Sequence, residues 1–133
     1  MALHLLDADA VMDYMAGISS SVAIIRDLYQ RQDALGLCDV VIAEVYSGFD
    51  AEEQASSLSF LTSFRFLETT REAAMLAGQW RYRYSRQGIT LATTDALIAA
   101  TAHIHHAVLV TGNVRHYPMP EISILPLPRA NRS

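Results

Sequence analysis

The sequence predicts an α/β fold built on a mainly parallel sheet, and three observations carry that expectation. Five short apolar runs, each suited to one buried strand, alternate with longer stretches whose apolar residues recur at helical spacing. That alternation continues through the chain with no internal repeat, low-complexity segment or linker. The 133 residues fit one domain and suffice to bury a real core, with 51% apolar and 18% charged residues.

The elements follow in order. Leu3 to Leu6 is an apolar run ending at Asp7 and reads as the first strand. After a short segment, Ser19, Ser20 and Ser21 offer N-caps to a helix carrying Val22, Ile25, Leu28 and Tyr29 on one face. Gly36 ends that stretch, and Leu37 to Val41 reads as the second strand. Ile42, Val45, Tyr46 and Phe49 then recur at helical spacing. Asp50 caps another helix running to about Ser63, and Phe64 to Leu67 is the third strand. Thr70 opens a helix that reaches about Gln87, where Gly88 supplies a C-terminal stop. Thr93 or Thr94 caps the next, which turns Leu97, Ile98, Thr101 and Ile104 toward the core. Ala107 to Thr111 and Ile122 to Leu125 are the last two strands. Pro118, Pro120, Pro126 and Pro128 confine regular structure near the end, so the domain is expected over residues 1–128 with a frayed tail at 129–133.

Composition excludes several classes. No apolar run approaches the roughly 20 residues that span a bilayer. The N-terminus lacks the basic flank and small-residue cleavage site of a signal peptide. Cys38 is the single cysteine, so no intrachain disulfide can form; it reads as a small buried apolar residue. A cytoplasmic location with no membrane partner is therefore expected. The net charge of −4 argues against a general nucleic-acid binder. It leaves room for a nuclease whose own acids lower the total, because bound cations offset such carboxylates locally. The chain contains no lysine, which removes chemistry that needs an ammonium.

In parallel sheets ligands gather at the carboxyl ends of the strands. Asp7 ends the first strand, and Glu44 stands in the first turn after the second. Asp95 lies in the first turn of the helix before the fourth strand, where a carboxylate is favoured, and Asn113 follows that strand. None of these spacings is local, so only the fold can assemble the group. At about 100° per residue, Glu44 falls about 200° from Ile42 and points away from the apolar stripe of its helix.

Four stretches carry a resemblance. They are Leu5-Leu6-Asp7-Ala8-Asp9-Ala10-Val11-Met12-Asp13, Ile42-Ala43-Glu44-Val45-Tyr46-Ser47-Gly48, Asp95-Ala96-Leu97-Ile98-Ala99-Ala100-Thr101-Ala102 and Leu109-Val110-Thr111-Gly112-Asn113-Val114-Arg115-His116-Tyr117. In order and over nearly the whole chain, they resemble the conserved blocks of VapC-type PIN domains, the toxins of toxin–antitoxin pairs. The resemblance implies a single PIN-like domain, with a five-stranded parallel sheet and acids gathered at one edge. It implies one or two Mg²⁺ or Mn²⁺ ions and hydrolysis of an RNA phosphodiester. Asp7, Glu44 and Asp95 match the family's three core acids. Asn113 stands where the family carries Asp or Asn, and Thr111 matches a hydroxyl near the site. Asp7 and Asp95 are expected as the main metal ligands, Glu44 as a ligand through water or a positioner of the nucleophile, and Asn113 as a hydrogen-bond partner. Hard divalent cations prefer such oxygens. A VapB-type antitoxin and a homodimer are the implied partners, and Val11, Met12, Tyr14 and Met15 suit either contact or the core.

Two positions depart from the pattern. Asp9 stands where Asn or Ser is common, and it either adds a carboxylate or caps the following helix. Asn113 is the neutral variant and leaves a second metal open. Asp13 reads as a solvated acid. Two further functions share the motifs: a housekeeping PIN nuclease for RNA processing, and a catalytically silent PIN-like binding scaffold. Asp7-Ala8-Asp9 also matches the nucleophile motif of HAD-type phosphatases, but that family uses a lysine this chain lacks. His103, His105 and His106 lack partner ligands for zinc and suit a helix C-terminus. In Trp80-Arg81-Tyr82-Arg83-Tyr84-Ser85-Arg86 aromatics interleave with arginines, as an RNA-contacting surface or a helix with Trp80 or Tyr84 turned inward. Arg115 and His116, beside Asn113, suit phosphate contact.

Overall fold

The computed structural model describes residues 2–128; the tail expected to fray lies outside the described residues. Strands β1 (Leu3–Leu6), β2 (Ala34–Cys38), β3 (Arg65–Leu67), β4 (Val108–Thr111) and β5 (Ile124–Pro126) form one sheet in the order β3-β2-β1-β4-β5. Every neighbouring pair is parallel. Between them run α1 (Ala8–Met15), α2 (Ser19–Gln30), α3 (Asp39–Ser47), α4 (Ala51–Thr62), α5 (Arg71–Ser85), α6 (Thr93–Ile104) and a 3-10 turn at Val114–His116. The chain leaves β1 toward β2 on one side and leaves β4 toward β5 on the other. The switch point therefore lies between β1 and β4, where such sheets open a crevice.

The strands are short and buried on both faces, as parallel strands under helices must be. Leu5, Leu6, Leu37, Leu109 and Val110 are at most 1% exposed. Helix α5 turns Ala73, Ala77, Trp80 and Tyr84 inward at helical spacing and packs on α6. The facing residues of α6 are small: Ala96, Ala99, Ala100 and Ala102 are all fully buried, which lets its backbone lie close to its neighbours. Asp50 caps α4 in a reciprocal capping box with Glu53, and the Thr70 hydroxyl accepts from the Ala73 amide to start α5, both as expected.

Several expectations are corrected. The second strand lies at Ala34–Cys38, not at Leu37 to Val41, because Gly36 is a strand residue and not a stop. A Cβ at Gly36 would sit 2.8 Å from Leu67 Cδ1 and 3.2 Å from the Arg65 carbonyl oxygen, so only glycine lets β2 and β3 pair there. Gly36→Ala is accordingly expected to lower stability by about 1–3 kcal/mol, read as a lower urea midpoint at unchanged slope.

The segment after Asp7 is a helix, α1, and its cap is Asp7 itself, whose carboxylate accepts from the Ala10 amide at 2.9 Å. No serine side chain caps α2, since Ile18 holds the N-cap position. Ser21 is instead buried and donates to Asp13 at 3.1 Å, tying α2 to α1. That pairing overturns the solvated reading of Asp13, which is 7% exposed: a carboxylate at the α1–α2 turn with a buried hydroxyl facing it goes inside. Likewise Ala92, not Thr93 or Thr94, precedes α6 at the cap position. Tyr29 sits on the outer side of α2 and is 74% exposed, because the helix turns Ser21, Ile25 and Leu28 inward instead.

Candidate active site

The four residues singled out from the sequence come to the same end of the sheet. Asp7 follows β1 directly and is 3% exposed. Its two oxygens have separate duties. Oδ1 accepts from the Ala10 amide, and Oδ2 accepts from the Thr111 hydroxyl at the end of β4 and from the Tyr117 phenol at 3.3 Å. Thr111 Oγ1 in turn accepts from the Asn113 amide at 2.9 Å. Strand β4 thereby holds Asp7 by a side chain as well as by the backbone, since the Asp7 amide also donates to the Val110 carbonyl at 3.1 Å.

Asp95 enters from the first turn of α6, and its Oδ2 lies 3.5 Å from His116 Nδ1. Glu44 is in the second turn of α3, not the first after the strand, because β2 ends at Cys38 and the helix starts at Asp39. It nevertheless faces Asp95 closely enough to feel its charge. Asn113, two residues beyond β4, leads into the 3-10 turn that carries His116.

The electrostatics show convergence independently of the hydrogen bonds. Burial pushes Asp7 up to about 6, and the nearby Asp9 charge adds to this, while the bonds from Thr111, Ala10 and Tyr117 hold it down. Burial also raises Asp95, against the pull of His116 and a hydrogen bond from Tyr117. Glu44 is raised by burial first and by the Asp95 charge second. The Tyr117 phenol is pushed upward by burial and then by Asp7, Asp95 and Glu44 together. Tyr117 thus sits in the field of all three acids. Among the described residues, neither Asp7 nor Glu44 has an ion-pair partner.

Sequence gave Tyr117 no role, although it ends the fourth matching stretch. A lone tyrosine before a proline carries no periodicity or motif, so nothing local marks it. Its phenol donates to Asp7 Oδ2 and lowers the Asp95 carboxyl as well, so at both it works against the upward push of burial. Tyr117→Phe is expected to lower cleavage at neutral pH by up to about tenfold. Because both bonds lower their carboxyl pKa, their loss should move the acid limb of the pH–rate profile upward. An unmoved limb would show that the phenol serves packing alone.

Asp9 lies in the first turn of α1, where its charge adds to the upward push on Asp7, and the cap of α1 is Asp7 and not Asp9. Arg115 is exposed beside a small cleft of about 250 Å³ formed by Gly112, Asn113, Val114, His116 and Leu127. The histidines near the end of α6 have other duties. His103 Nδ1 lies 3.3 Å from the Glu121 carbonyl with its ring edge on Trp80, and His105 Nε2 lies 2.9 Å from the Glu68 carbonyl. Cys38 is buried, and burial pushes its thiol up to about 11.

Among the described residues no three His, Cys, Asp or Glu side chains close into a ready-made cage for an ion. The donors are nonetheless those a hard divalent cation takes: carboxylate and amide oxygens, partly desolvated and short of positive partners. Mg²⁺ retains several waters and needs only one or two direct carboxylates. The residues present therefore fit such an ion.

Comparison with known proteins agrees with this fold. Residues 5–121 match the PIN domain family. The chain is 30% identical over 119 residues to Ribonuclease VapC19 of Mycobacterium tuberculosis, covering 88% of this chain and 94% of that protein. It is 33% identical over 120 residues to Ribonuclease VapC10 of the same organism, covering 88% and 87%. The fold superposes with a TM-score of 0.81 on a chain of the VapBC2 crystal structure from Rickettsia felis, solved with a DNA fragment from the promoter. That match covers 95% of this chain and 99% of the other at 20% identity, and so speaks for the fold alone. With the family matched over most of its length and relatives at these identities, this chain belongs to the PIN-domain family, among the VapC proteins.

Proposed function

We propose that the protein is an Mg²⁺- or Mn²⁺-dependent endoribonuclease, the toxin of a VapBC-type toxin–antitoxin pair. The observation that carries this reading is the meeting of Asp7, Glu44 and Asp95 around Tyr117 at the β1–β4 switch point, from three segments far apart in sequence. Asp7 and Asp95 would hold the ion directly, with Glu44 bound through water or aligning the attacking water. When bound, the ion acidifies water and offsets charge on the phosphate and leaving oxygen. Thr111 and Tyr117 fix the Asp7 rotamer, and Ala10 pins its other oxygen, so the carboxylate is oriented before any ligand arrives. Asn113 occupies the fourth position without adding negative charge. With water activated by such an ion, no nucleophilic side chain is required.

RNA is the proposed substrate, in line with the printed names of the relatives as ribonucleases. A VapB-type antitoxin is the proposed partner, in line with the crystallised VapBC complexes of like fold. A homodimer and a cytoplasmic place of work complete the proposal. Among the described residues no single helix is long and apolar enough to cross a membrane.

The test is incubation of purified, partner-free protein with total cellular RNA in Mg²⁺, Mn²⁺ or EDTA, with Asp95→Asn alongside. Discrete fragments that need the metal and vanish in the variant are expected. Folded protein that cuts nothing under any condition would sink the nuclease reading. A variant that cuts as well as the parent would move the site elsewhere.

A further inference from the structure

The arginine–aromatic stretch of α5 divides cleanly in the structure. Trp80 and Tyr84 are buried, and Arg83 is held by Glu121 through both guanidinium nitrogens at 2.8 and 3.0 Å. Arg81, Tyr82 and Arg86 are left over. Arg81 and Tyr82 line a cleft of about 390 Å³ whose other walls include Gly78, Ser85, Ile89 and Leu91, and Arg86 is set against Tyr82 outside that lining. Tyr82 is 67% exposed, and the Arg86 guanidinium lies over its ring, 5.8 Å from the centroid. Arg81 is fixed by its Nε donating to the Leu91 carbonyl at 3.0 Å, which leaves its terminal nitrogens for another acceptor. Among the described residues neither Arg81 nor Arg86 is in an ion pair.

Two arginines without acids, on a chain of net charge −4, make a local positive site in an acidic protein. Its position matters. Leu91 precedes Asp95 by four residues, so this wall of the cleft and Asp95 are at most about 14 Å apart along the chain. About four stacked nucleotides at roughly 3.4 Å each cover that distance.

We propose that this cleft is a substrate subsite that takes one unpaired base of a single-stranded RNA, stacked on Tyr82, with Arg81 and Arg86 on the flanking phosphates. The proposal rests on the ribonuclease reading of the acid site. An aromatic face accepts any base, and guanidinium groups suit phosphate oxygens. Gly78, with no atom within 4 Å of where its Cβ would stand, keeps one wall open. A base paired within a duplex is stacked on both faces and cannot enter. The substrate must therefore be unpaired a few nucleotides from the scissile bond.

The experiment measures binding of a short labelled single-stranded RNA of mixed sequence by fluorescence anisotropy in Mg²⁺. It uses full-length protein carrying Asp7→Asn, so that the probe survives. Tyr82→Ala is expected to weaken binding on the order of tenfold, and Tyr82→Phe to restore it. Arg86→Gln should weaken binding and flatten its salt dependence, while Arg71→Gln at the other end of α5 should change nothing. In the cutting enzyme Tyr82→Ala should raise KM with kcat preserved. If the parent cuts RNA while Tyr82→Ala keeps the parent's affinity and KM, the subsite is wrong and the nuclease stands. A change of oligomeric state in Tyr82→Ala, by sedimentation, would make the face a contact between copies and overturn the proposal. A parent that neither binds nor cuts RNA would bring down the nuclease reading and this one with it.

Discussion

Asp7→Asn is expected to abolish RNA cleavage, by at least about a thousandfold, and to leave the metal-free protein more stable at neutral pH. The two halves have different causes. A metal-held carboxylate supplies several kcal/mol of charge stabilisation during phosphodiester hydrolysis, and each 1.4 kcal/mol is about a factor of ten in rate. The stability gain comes from burial. Asp7 is 3% exposed and its pKa rises from an ordinary 3.8 to about 6. Between those values the folded state holds more protons than the unfolded one, so stability falls as pH rises through that interval and stays lost above it. The full loss is about 3 kcal/mol.

Asparagine caps a helix as well as aspartate does. Its amide can face Thr111 and Tyr117 with those hydroxyls turned to accept. The expected readout is a Tm in EDTA several degrees above the parent at pH 7.5, the difference closing toward pH 4. Added Mg²⁺ should raise the parent's Tm more than the variant's, since binding stabilises only a site that binds. A variant less stable than the parent at pH 7.5 would show that the hydrogen bonds to the ionised carboxylate outweigh its burial.

Trp80→Ala should lower stability by about 3–5 kcal/mol, enough to leave a marginal domain partly unfolded. Trp80 is 2% exposed at the centre of the α5–α6 packing. Its Nε1 donates to Glu121 Oε2 at 3.3 Å, and its edge meets the ring of His103. The small alanines of α6 cannot move in to fill the space, because they belong to a rigid helix that lies fully buried. Trp80 is the single tryptophan, so urea unfolding has to be followed by far-UV circular dichroism. A loss below about 1 kcal/mol would mean that the α5–α6 pair closes over the cavity. Any fall in activity at temperatures where the variant stays folded reports on Asp95, which α6 carries into the site.

Much of this was legible in the sequence. The five strands, the alternation that makes them parallel, and the caps at Asp50 and Thr70 all rest on patterns within a few residues, where propensity and hydrogen-bond geometry act directly. Asp7 was legible in the same way, since it follows the apolar run of the first strand directly, whereas Glu44 and Asp95 lie within helices and were marked by the resemblance of their surrounding stretches. Errors arose where a residue's partner lies elsewhere in the chain. Gly36 looks like a stop until Leu67 is brought against it. Asp13 looks solvated until Ser21 turns inward to meet it. Tyr29 fits a core face by spacing, yet the sheet meets only part of that face.

Sequence by itself thus determined the fold class and the order of the five strands, because these follow from local periodicity. Tertiary structure alone decided that Tyr117 and Thr111 hold Asp7, that Glu44 and Asp95 share a field, and which arginines of α5 stay unpaired. The reason is physical. Hydrogen bonds and Coulomb interactions depend on distance and burial, and neither exists for residues tens of positions apart until the sheet has closed.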